Sequence, residues 1–547
     1  MNQRLLRSIG ATFTILLLVV PATAKFNQQT DENAAAILNR MSAALGGLEK
    51  LRAIEGIYMR GKVDVAGLSG TVEDWQTAAG QHKQIVDLGD VYKQITIFNG
   101  TRGWVIDRNN QISDMAGLSL EKEILASYLG SFSHLVSGRL GGKVTSAGED
   151  TAGKYYLLRV QPERGSVATY TIDKSTFLPI SLQEPSEDGS VTTYFEDWRD
   201  VDGVKMPFRI RQNAANPANN AVVQQESIKF TSIAATNFVR PESGTPDFRF
   251  TNGRRFARMP LGRDGYAIFV QARLNNSQPL WFVLDTGASV TVIDARRARA
   301  LGLKSAGNVA ASAPGGHTAV QFTKGVNFTL PGVRLTNQTV VSVPFRKEFS
   351  EVRRNLAGIL GYDFISRFVM EIDYLNQTLT LYDAKTYQYQ GPGKRVPISI
   401  DGTPFVRAEV KTNGHDPVAG RFEIDTGYDG AITLYQPFVK AHPELTPPAQ
   451  SQHDKRQGVG QTSDSVKAPV ELFRLGEFSF PDVAANFTVG EEGVGGSQQV
   501  AGLIGNELLS KFKVIFDYSR QEMVLEPNPQ PGNKSPSTNR AKNRRRR

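Results

Sequence analysis

Two aspartates lie at matching positions of a sequence that occurs twice in this chain. Asp285 and Asp425 each follow an apolar run and begin an Asp-Thr-Gly triplet, and they stand 140 positions apart. An apolar strand can carry a carboxylate at its end, and a nearby glycine can take a positive φ that turns backbone N–H groups toward it. Two such carboxylates held face to face could share one proton and activate water by acid–base chemistry. The residues expected to support them are Thr286, Gly287, Thr426 and Gly427.

A second pair of matching segments follows the two triplets. Residues 358–361 read Gly-Ile-Leu-Gly and residues 502–505 read Gly-Leu-Ile-Gly, and eight of the 25 positions that start at these segments are identical in both copies. A single Asp-Thr-Gly could be a plain exit from a strand into a turn, but two copies with the same downstream glycine motif indicate an internal duplication. The sequence therefore predicts two β-rich lobes, at 263–390 and 391–527, with one carboxylate each.

The duplicated triplets resemble those of the aspartic proteases of the retropepsin and pepsin clan, in which each lobe provides one Asp-Thr-Gly. The resemblance implies a bilobal all-β fold with Asp285 and Asp425 as catalytic residues. It also implies a polypeptide substrate that is attacked directly by water, without an acyl-enzyme, a metal or a cofactor. Viral relatives assemble from two identical chains, whereas both halves stand in one chain here, so a monomer can complete the site.

Relatives in this clan close a glycine-rich hairpin, the flap, over the substrate. Two segments of this chain suit that role because glycines permit tight and mobile hairpin tips, although ordinary hairpins share the pattern. The resemblance also implies a small residue after each triplet. The second copy has Tyr428 there, which is expected to narrow the pocket or to perturb the carboxylates. The flap candidates are Gly315, Gly316, Gly458 and Gly460.

Composition excludes several other kinds of site. The chain has no cysteine, which excludes a thiol nucleophile, cysteine-ligated zinc and an iron–sulfur centre. Its six histidines have no metal-ligand spacing, and no Gly-x-Ser-x-Gly motif of a serine hydrolase is present. The net charge of +9 comes from the two ends of the chain, so residues 25–527 are neutral and nucleic acid is not an expected partner.

Both ends of the chain have the composition of segments outside a folded body. Residues 1–24 combine two arginines, an apolar stretch and an Ala-Thr-Ala cleavage pattern, which predicts a signal peptide and export to the periplasm or the extracellular space. A retained membrane anchor is the alternative, but the apolar stretch is only about half of the roughly 20 residues that a spanning helix needs. Residues 528–547 are polar and basic and are expected to be disordered, either as a solvated tail or as an attachment to an anionic surface.

Residues 25–235 alternate between helical and strand patterns and predict a curved antiparallel sheet around one or two helices. Their order and the segments 171–179 and 201–208 resemble the half-barrel of periplasmic lipoprotein-carrier (LolA-like) and sigma-regulator domains. In that family the concave face takes up acyl chains, which implies contact with lipid or lipoprotein; a filled core is the alternative. A polar linker with several prolines and glycines is expected over 236–262.

The whole chain is predicted to be mainly β. Two candidate functions are consistent with its sequence. The first is an exported aspartic endopeptidase, in which residues 25–235 form a docking domain, a carrier or a pro-region cut near Arg254 and Arg255. The second is a catalytically silent binding or carrier protein for hydrophobic ligands or lipoproteins. The intact Asp-Thr-Gly in both copies favours the first, because a silent lobe is free to lose its aspartate.

Overall fold

The computed structural model describes residues 31–529, apart from 187–188, 243, 245, 252, 314–315, 346–355, 413, 458–461, 491–494, 496 and 498. The predicted signal peptide and the basic tail beyond residue 529 lie outside the described residues. Strands dominate the chain and form several sheets, which confirms the mainly β fold class. In the part of the chain that the structure describes, no helix is both long and apolar enough to cross a membrane.

The N-terminal domain, residues 31–238, is built around one antiparallel sheet of thirteen strands. Its strands are β1 (Gly56–Val65), β2 (Leu68–Thr77), β3 (His82–Asp87), β4 (Lys93–Phe98), β5 (Gly103–Ile106), β6 (Ile112–Asp114), β7 (Gly142–Glu149), β8 (Tyr155–Pro162), β9 (Ala168–Asp173), β10 (Pro179–Ser186), β11 (Gly189–Val201), β12 (Val204–Asn213) and β13 (Ala221–Phe230). Because β1 pairs with β13, the spatial order is β6-β5-β4-β3-β2-β1-β13-β12-β11-β10-β9-β8-β7. Its helices are α1 (Glu32–Ala44), α2 (Leu48–Ala53) and α3 (Gly117–Gly130), with 3-10 turns at Pro217–Asn219 and Ala235–Phe238.

Helix α1 is bounded by a side-chain cap at its start and by a glycine after its end. The Asp31 carboxylate caps the first turn by accepting a hydrogen bond from the Ala34 N–H at 2.7 Å. Leu38 and Met41 lie on the buried face of the helix. Gly46 then takes a φ of +126°, which a residue with a side chain rarely adopts, and the helix ends before it.

One face of the thirteen-stranded sheet is buried, and two different parts of the chain cover it. Along β1, Val63 and Val65 are buried while Lys62 and Asp64 are exposed, which is the alternation of a half-buried strand. Ile57, near the start of β1, belongs to a core that includes α1 and α3, whereas Val63 and Val65 belong to a core shared with the following domain. The sheet therefore packs on helices at one end and on another domain at the other.

The two predicted lobes share one topology, in which the strand before each aspartate is central. The first lobe contains β14 (Phe248–Phe250), β16 (Gly262–Asp264), β17 (Ala267–Leu274), β18 (Leu280–Leu284), β19 (Val292–Asp294), β20 (Ser305–Ala313), β21 (Gly316–Leu330), β22 (Val333–Val343), β23 (Leu356–Leu360), α4 (Ala295–Ala300) and α5 (Tyr362–Ile365). The second lobe contains β27 (Ser399–Ile400), β28 (Pro404–Lys411), β29 (Val418–Ile424), β30 (Ile432–Leu434), β31 (Gln452–Gln457), β32 (Thr462–Leu475), β33 (Phe478–Thr488), β34 (Gly502–Ile504), α6 (Gln436–Ala441), a 3-10 turn at Pro443–Leu445 and α7 (Asn506–Leu509). In lobe 1, β18 pairs antiparallel with β17 and parallel with β23; in lobe 2, β29 pairs in the same way with β28 and β34.

A third sheet joins the two lobes. Its strands are β15 (Phe256–Pro260), β24 (Phe368–Asp373), β25 (Thr378–Asp383), β26 (Lys394–Pro397), β35 (Phe512–Asp517) and β36 (Glu522–Pro527), in the order β15-β25-β24-β35-β36-β26. The contact between the lobes is the antiparallel pair β24 and β35, in which Glu371 lies opposite Ile515. These two strands belong to the duplicated segment, so the two copies pair with each other.

The segment 236–262, predicted as a linker, contains two strands that belong to the lobes. Strand β14 pairs with β22, and β15 pairs with β25, because both partners offer an unpaired sheet edge. Asp247, just before β14, also accepts two hydrogen bonds from the buried Arg367 guanidinium, at 2.9 and 2.6 Å. From about residue 247 onward, the segment is therefore part of the lobes rather than an open spacer.

Candidate active site

Asp285 and Asp425 stand at the ends of the central strands of the two lobes. Asp285 directly follows β18 and Asp425 directly follows β29, and the last residues of both strands are buried. The Asp285 N–H donates to the Leu360 carbonyl at 3.1 Å, and the Asp425 N–H donates to the Ile504 carbonyl at 2.9 Å. Leu360 and Ile504 belong to the two downstream glycine motifs, so each motif lies directly beside one aspartate.

The two loops bring the carboxyl groups against each other. The Gly287 N–H donates to Asp285 Oδ1 at 2.9 Å, and the Gly427 N–H donates to Asp425 Oδ1 at 2.8 Å. A Cβ on Gly287 would lie 2.6 Å from Asp425 Cγ, and a Cβ on Gly427 would collide with the Asp285 carboxyl group. Each carboxyl group therefore occupies the space that a side chain on the opposite loop would need.

This packing corrects the reason for which glycine was expected in the two triplets. The expectation was a positive φ, but neither Gly287 nor Gly427 is among the residues with φ in the left-handed region. Glycine is needed here because the opposite carboxyl group comes too close for a Cβ. The requirement arises from the contact between the lobes and not from the local backbone.

The two threonines connect the loops through four buried hydrogen bonds. Thr286 Oγ1 donates to the Ile424 carbonyl at 2.7 Å and accepts from the Thr426 N–H at 3.0 Å. In the same way, Thr426 Oγ1 donates to the Leu284 carbonyl at 2.9 Å and accepts from the Thr286 N–H at 3.0 Å. Because each hydroxyl pairs with two backbone groups of the other lobe, the network fixes the two aspartates relative to each other.

The electrostatics of the pair favour a shared proton. Asp285 is 0% exposed and Asp425 is 2% exposed. Burial raises the pKa of Asp285 well above its ordinary value, and the neighbouring charge of Asp425 raises it further. Burial also raises the pKa of Asp425, and the charge of the buried Glu423 adds to this effect. Because two carboxyl groups in contact titrate as a unit, we assign the proton to the pair.

One supporting residue, Asn506, was not identified from the sequence. Its Nδ2 donates to the Thr426 carbonyl at 2.6 Å, and its Oδ1 accepts from the hydroxyl of Tyr374 in lobe 1, also at 2.6 Å. The equivalent position in lobe 1 is Tyr362, whose ring packs against Tyr518 with the centroids 5.5 Å apart. The available signal was the position of Asn506 immediately after the second glycine motif.

Tyr428, the large residue after the second triplet, is fully buried in lobe 2. Its ring lies against Gly505, where a Cβ would come within 2.5 Å of Cδ1, and against Gly430. Its hydroxyl accepts a hydrogen bond from Asn486 Nδ2 at 2.8 Å. The side chain thus belongs to a packed core with a hydrogen-bonded end, and the narrowing of a substrate pocket stays a prediction.

Of the four flap candidates, the structure describes Gly316, the first residue of the second strand of a hairpin. Strand β20 pairs with β21, which begins at Gly316 opposite Ala313, and β31 pairs with β32. Gly315, Gly458 and Gly460 lie outside the described residues. Strands β20 and β31 each form an edge of their lobe's sheet, at equivalent places in the two lobes. Their role as flaps stays a prediction.

Within the described ranges, no group of three or more His, Asp or Glu residues is arranged to hold a metal ion. The N-terminal domain does contain a buried charge cluster in which His82 lies between two carboxylates, Asp74 and Glu123. Although burial lowers the pKa of His82, the charges of Glu123 and Asp74 raise it well above its ordinary value. Each ring nitrogen of His82 is hydrogen-bonded to a carboxylate oxygen, so the cluster is a buried set of ion pairs inside the N-terminal domain.

Comparison with known protein families identifies a protease-like region in lobe 1. A family profile described as Aspartyl protease matches residues 270–364, which is less than a fifth of the chain. The match includes Asp285 and the first glycine motif and ends before the second copy. Residues 270–364 are therefore an aspartyl protease-like region.

No curated protein matches the chain. Among solved structures, the chain is similar to that of a DUF1329 family protein from Desulfovibrio piger, with 13% sequence identity over 37% of this chain and 96% of that chain. The TM-score of this match is 0.27, so it carries no argument about fold or function.

Proposed function

We propose that this protein is an exported aspartic endopeptidase that hydrolyses peptide bonds with a water molecule activated between Asp285 and Asp425. The observation that carries the proposal is the contact between the two carboxyl groups, each bound by a glycine N–H of its own loop and packed against the opposite loop. The protease-like profile over residues 270–364 supports this class of chemistry in lobe 1. The duplicated sequence supplies the second carboxyl group from the same chain.

In the proposed reaction, the pair of carboxyl groups holds one proton. The ionised carboxylate takes a proton from bound water while the water oxygen attacks the scissile carbonyl carbon, and the other carboxyl group gives its proton to the carbonyl oxygen. The resulting diol collapses as the C–N bond breaks: the carboxyl group that took the proton from water gives it to the leaving nitrogen, and the other carboxylate takes a proton back from a diol hydroxyl. Water is thereby added across the peptide bond, and the step needs no covalent enzyme intermediate, metal or cofactor.

Two further parts of the proposal concern where the protein works and with what. The composition of residues 1–24 supports export, so the substrate would be a polypeptide of the periplasm or the extracellular space. Because both aspartates belong to one chain, one molecule is sufficient for a complete site. The basic tail and the inner face of the N-terminal domain are the parts that could contact lipid or lipoprotein.

A catalytically silent binding or carrier protein is the second candidate function. The observation that favours it is the almost complete burial of both carboxyl groups, since Asp285 is 0% and Asp425 only 2% exposed. In that case, the crossed threonine bonds would serve only to hold the two lobes together. The two candidates differ in whether removal of one carboxyl group abolishes an activity.

The test is cleavage of denatured casein between pH 3 and 7 by the mature wild-type protein and by Asp285→Asn and Asp425→Asn. Both substitutions keep the size of the side chain and remove an acid–base group, so each is expected to lower the rate by about a hundredfold or more. The matched control is Asp416→Asn, which changes an exposed aspartate and should leave the rate unchanged. Equal rates in all four proteins would overturn the proposal, because the activity would then belong to another site.

A further inference from the structure

The strand that leads to Asp425 carries a second carboxyl group beside the catalytic pair. In β29, Phe422 and Ile424 belong to the large core to which both lobes contribute. Because side chains alternate along a strand, Glu423 lies on the opposite face, where Asp425 also lies two positions later. The α-carbons of residues two apart on a strand are separated by about 7 Å, so Glu423 stands next to the paired carboxyl groups.

The charge of Glu423 acts on both catalytic groups. Burial raises the pKa of Asp425, and the charge of Glu423 is the next largest cause. Burial and the charge of Asp425 raise the pKa of Asp285, and the charge of Glu423 adds to this shift as well. Both effects agree with the position of Glu423 on the face of the strand that carries the catalytic carboxyl group.

Glu423 lies in a wall of apolar and aromatic side chains. It is opposite Phe405 on β28 and opposite Leu503 on β34. These two residues belong to a buried cluster of lobe 2, and Glu423 is fully buried too. We call Glu423 and this cluster the lobe 2 wall; the cluster consists of Phe405, Tyr428, Tyr435, Val500 and Leu503. The lobe 2 wall thus combines an apolar contact area with one carboxyl group.

Lobe 1 has an apolar residue at the equivalent position. Val283 stands 140 positions before Glu423, which is the offset between the two Asp-Thr-Gly triplets. It lies opposite Phe269 on β17 and Ile359 on β23, and all three residues belong to one apolar core. Since valine fits this strand position in the same topology, the fold does not require a carboxyl group there. The carboxyl group of lobe 2 therefore calls for a function.

Three other charged groups lie along the same side of lobe 2. The Arg421 guanidinium lies over the Phe405 ring, 3.6 Å from its centroid. Arg421 Nη2 is also 3.9 Å from Asp401 Oδ2. Burial and the charge of Asp401 raise the pKa of Glu121 in α3 to about 7, while Arg421 lowers it. Even with Glu121 protonated, the carboxylates of Glu423 and Asp401 outnumber the one guanidinium, so the local electrostatic potential favours a cation.

We propose that Glu423 determines the specificity of the catalytic pair, in that its carboxylate binds the charged end of a substrate lysine or arginine side chain next to the scissile bond. The proposal rests on the peptidase function proposed above and adds the class of substrate. The aliphatic stem of such a side chain would pack on Phe405 and Leu503, while its charged end forms a charge-assisted hydrogen bond with the carboxylate. An apolar side chain in the same place would supply no opposite charge to a buried carboxylate, which is unfavourable.

The first measurement identifies the bonds that the mature wild-type protein cleaves in denatured casein, by mass spectrometry of the products. The cleaved bonds are expected to have lysine or arginine at one fixed position beside the scissile bond. A synthetic peptide with such a site is then made with lysine and, as a second form, with acetyl-lysine, which lacks the charge. The wild type is expected to cleave the lysine form with a kcat/KM at least about tenfold higher, because a hydrogen bond between charged groups contributes at least that factor.

The variant that tests the residue is Glu423→Gln, which keeps the size of the side chain and removes its charge. The ratio of kcat/KM for the two peptides is expected to fall to about 1 in this variant. The ratio isolates substrate recognition, because a changed pKa of Asp285 or Asp425 affects both peptides equally. The matched control is Glu477→Gln, which removes an exposed carboxylate of the same lobe and should leave the ratio unchanged.

Several results would overturn the proposal. Cleavage sites without a basic residue at a fixed position would do so, as would equal kcat/KM of the wild type for the two peptides. A Glu423→Gln protein that is slower on both peptides at the wild-type ratio would show that Glu423 acts on the aspartates and not on the substrate. Because the comparison of lysine with acetyl-lysine uses the wild type alone, it does not depend on the folding of a variant. No cleavage by the wild type, or cleavage that persists in Asp285→Asn, would instead overturn the peptidase function, and this specificity with it.

Discussion

The contact between Gly287 and the Asp425 carboxyl group allows one substitution to be worked out from the coordinates. A Cβ at position 287 would lie 2.6 Å from Asp425 Cγ and 2.7 Å from Oδ1. Non-bonded carbon atoms approach each other to about 3.5 Å, so Gly287→Ala must move the two loops apart by about 1 Å. The backbone itself would tolerate alanine, because Gly287 does not have a positive φ. The variant should therefore fold, with its two carboxyl groups separated.

The size of the effect follows from the precision that catalysis needs. A displacement of about 1 Å in an acting group can lower a rate about a hundredfold. The crossed threonine bonds resist the displacement, and straining or losing one or two of them costs about 1–3 kcal/mol of unfolding free energy. The assays are kcat/KM on casein and urea unfolding. Gly244→Ala is the matched control, since that glycine is exposed, has no positive φ and has no atom within 4 Å of the added Cβ.

The reasoning would be refuted by a Gly287→Ala protein that keeps more than about a third of the wild-type kcat/KM at unchanged stability. Such a result would mean that the carboxyl groups act without touching, which contradicts the packing described for both loops. Gly427→Ala repeats the experiment from the other lobe, because a Cβ there would meet the Asp285 carboxyl group. The two variants should lose activity to a similar degree.

Three further outcomes are expected. Thr286→Val leaves two buried backbone groups of lobe 2 without partners and should lower the unfolding free energy by about 2–6 kcal/mol in urea, whereas Thr286→Ser should retain most of it. Because burial raises the pKa of Asp285 above its ordinary 3.8, the stability that this group contributes is complete below that pH and is lost as the pH rises. Asp285→Asn should therefore melt at a higher temperature than the wild type at pH 7 and at the same temperature near pH 3. Arg108→Met leaves the buried Asp363 carboxylate without its cation and should cost about 3–5 kcal/mol, which adding Asp363→Asn should largely recover.

Each of these outcomes has a result that contradicts it. Equal stability of Thr286→Val and Thr286→Ser would show that the hydroxyl does not join the lobes. A melting difference for Asp285→Asn that is the same at pH 3 and pH 7 would show that ionisation is not its cause. A double change at Arg108 and Asp363 that is as damaging as Arg108→Met alone would show that the loss comes from packing and not from an unpaired charge.

The aspartates and their strands could be predicted because their signal is local and repeated. A hydrophobic strand that ends in Asp-Thr-Gly can be recognised within a few residues. The second copy argues against the interpretation of the triplet as a chance turn. The sequence also indicated that Thr286 and Thr426 support the aspartates. It could not indicate why Gly287 must be glycine, because the colliding atoms belong to Asp425 in the other lobe.

The attachment of the N-terminal domain to lobe 1 could not be predicted. Asn109 and Asn219 are single polar residues in turns, and nothing near them in the sequence indicates that they pair with β22 and β20. The strands β14 and β15 were missed for a related reason, since short segments that complete a sheet edge carry few residues with a pattern. Contacts of this kind join residues that are far apart in the sequence, so no local pattern marks them.

The strand pair that joins the lobes, β24 and β35, is symmetric. If the two copies of the duplicated segment were exchanged, the same positions would lie opposite each other. Glu371 and Ile515 are equivalent positions of the duplication and lie opposite each other, while Val369 faces Asp517 and Asp373 faces Lys513. Two identical half-size molecules would need this same self-complementary pairing to build a dimer. Joining them in one polypeptide keeps the geometry but lets each half change alone. In lobe 2, Tyr428 lies in a core of that lobe, whereas the equivalent Ala288 of lobe 1 lies in a core that continues into the N-terminal domain.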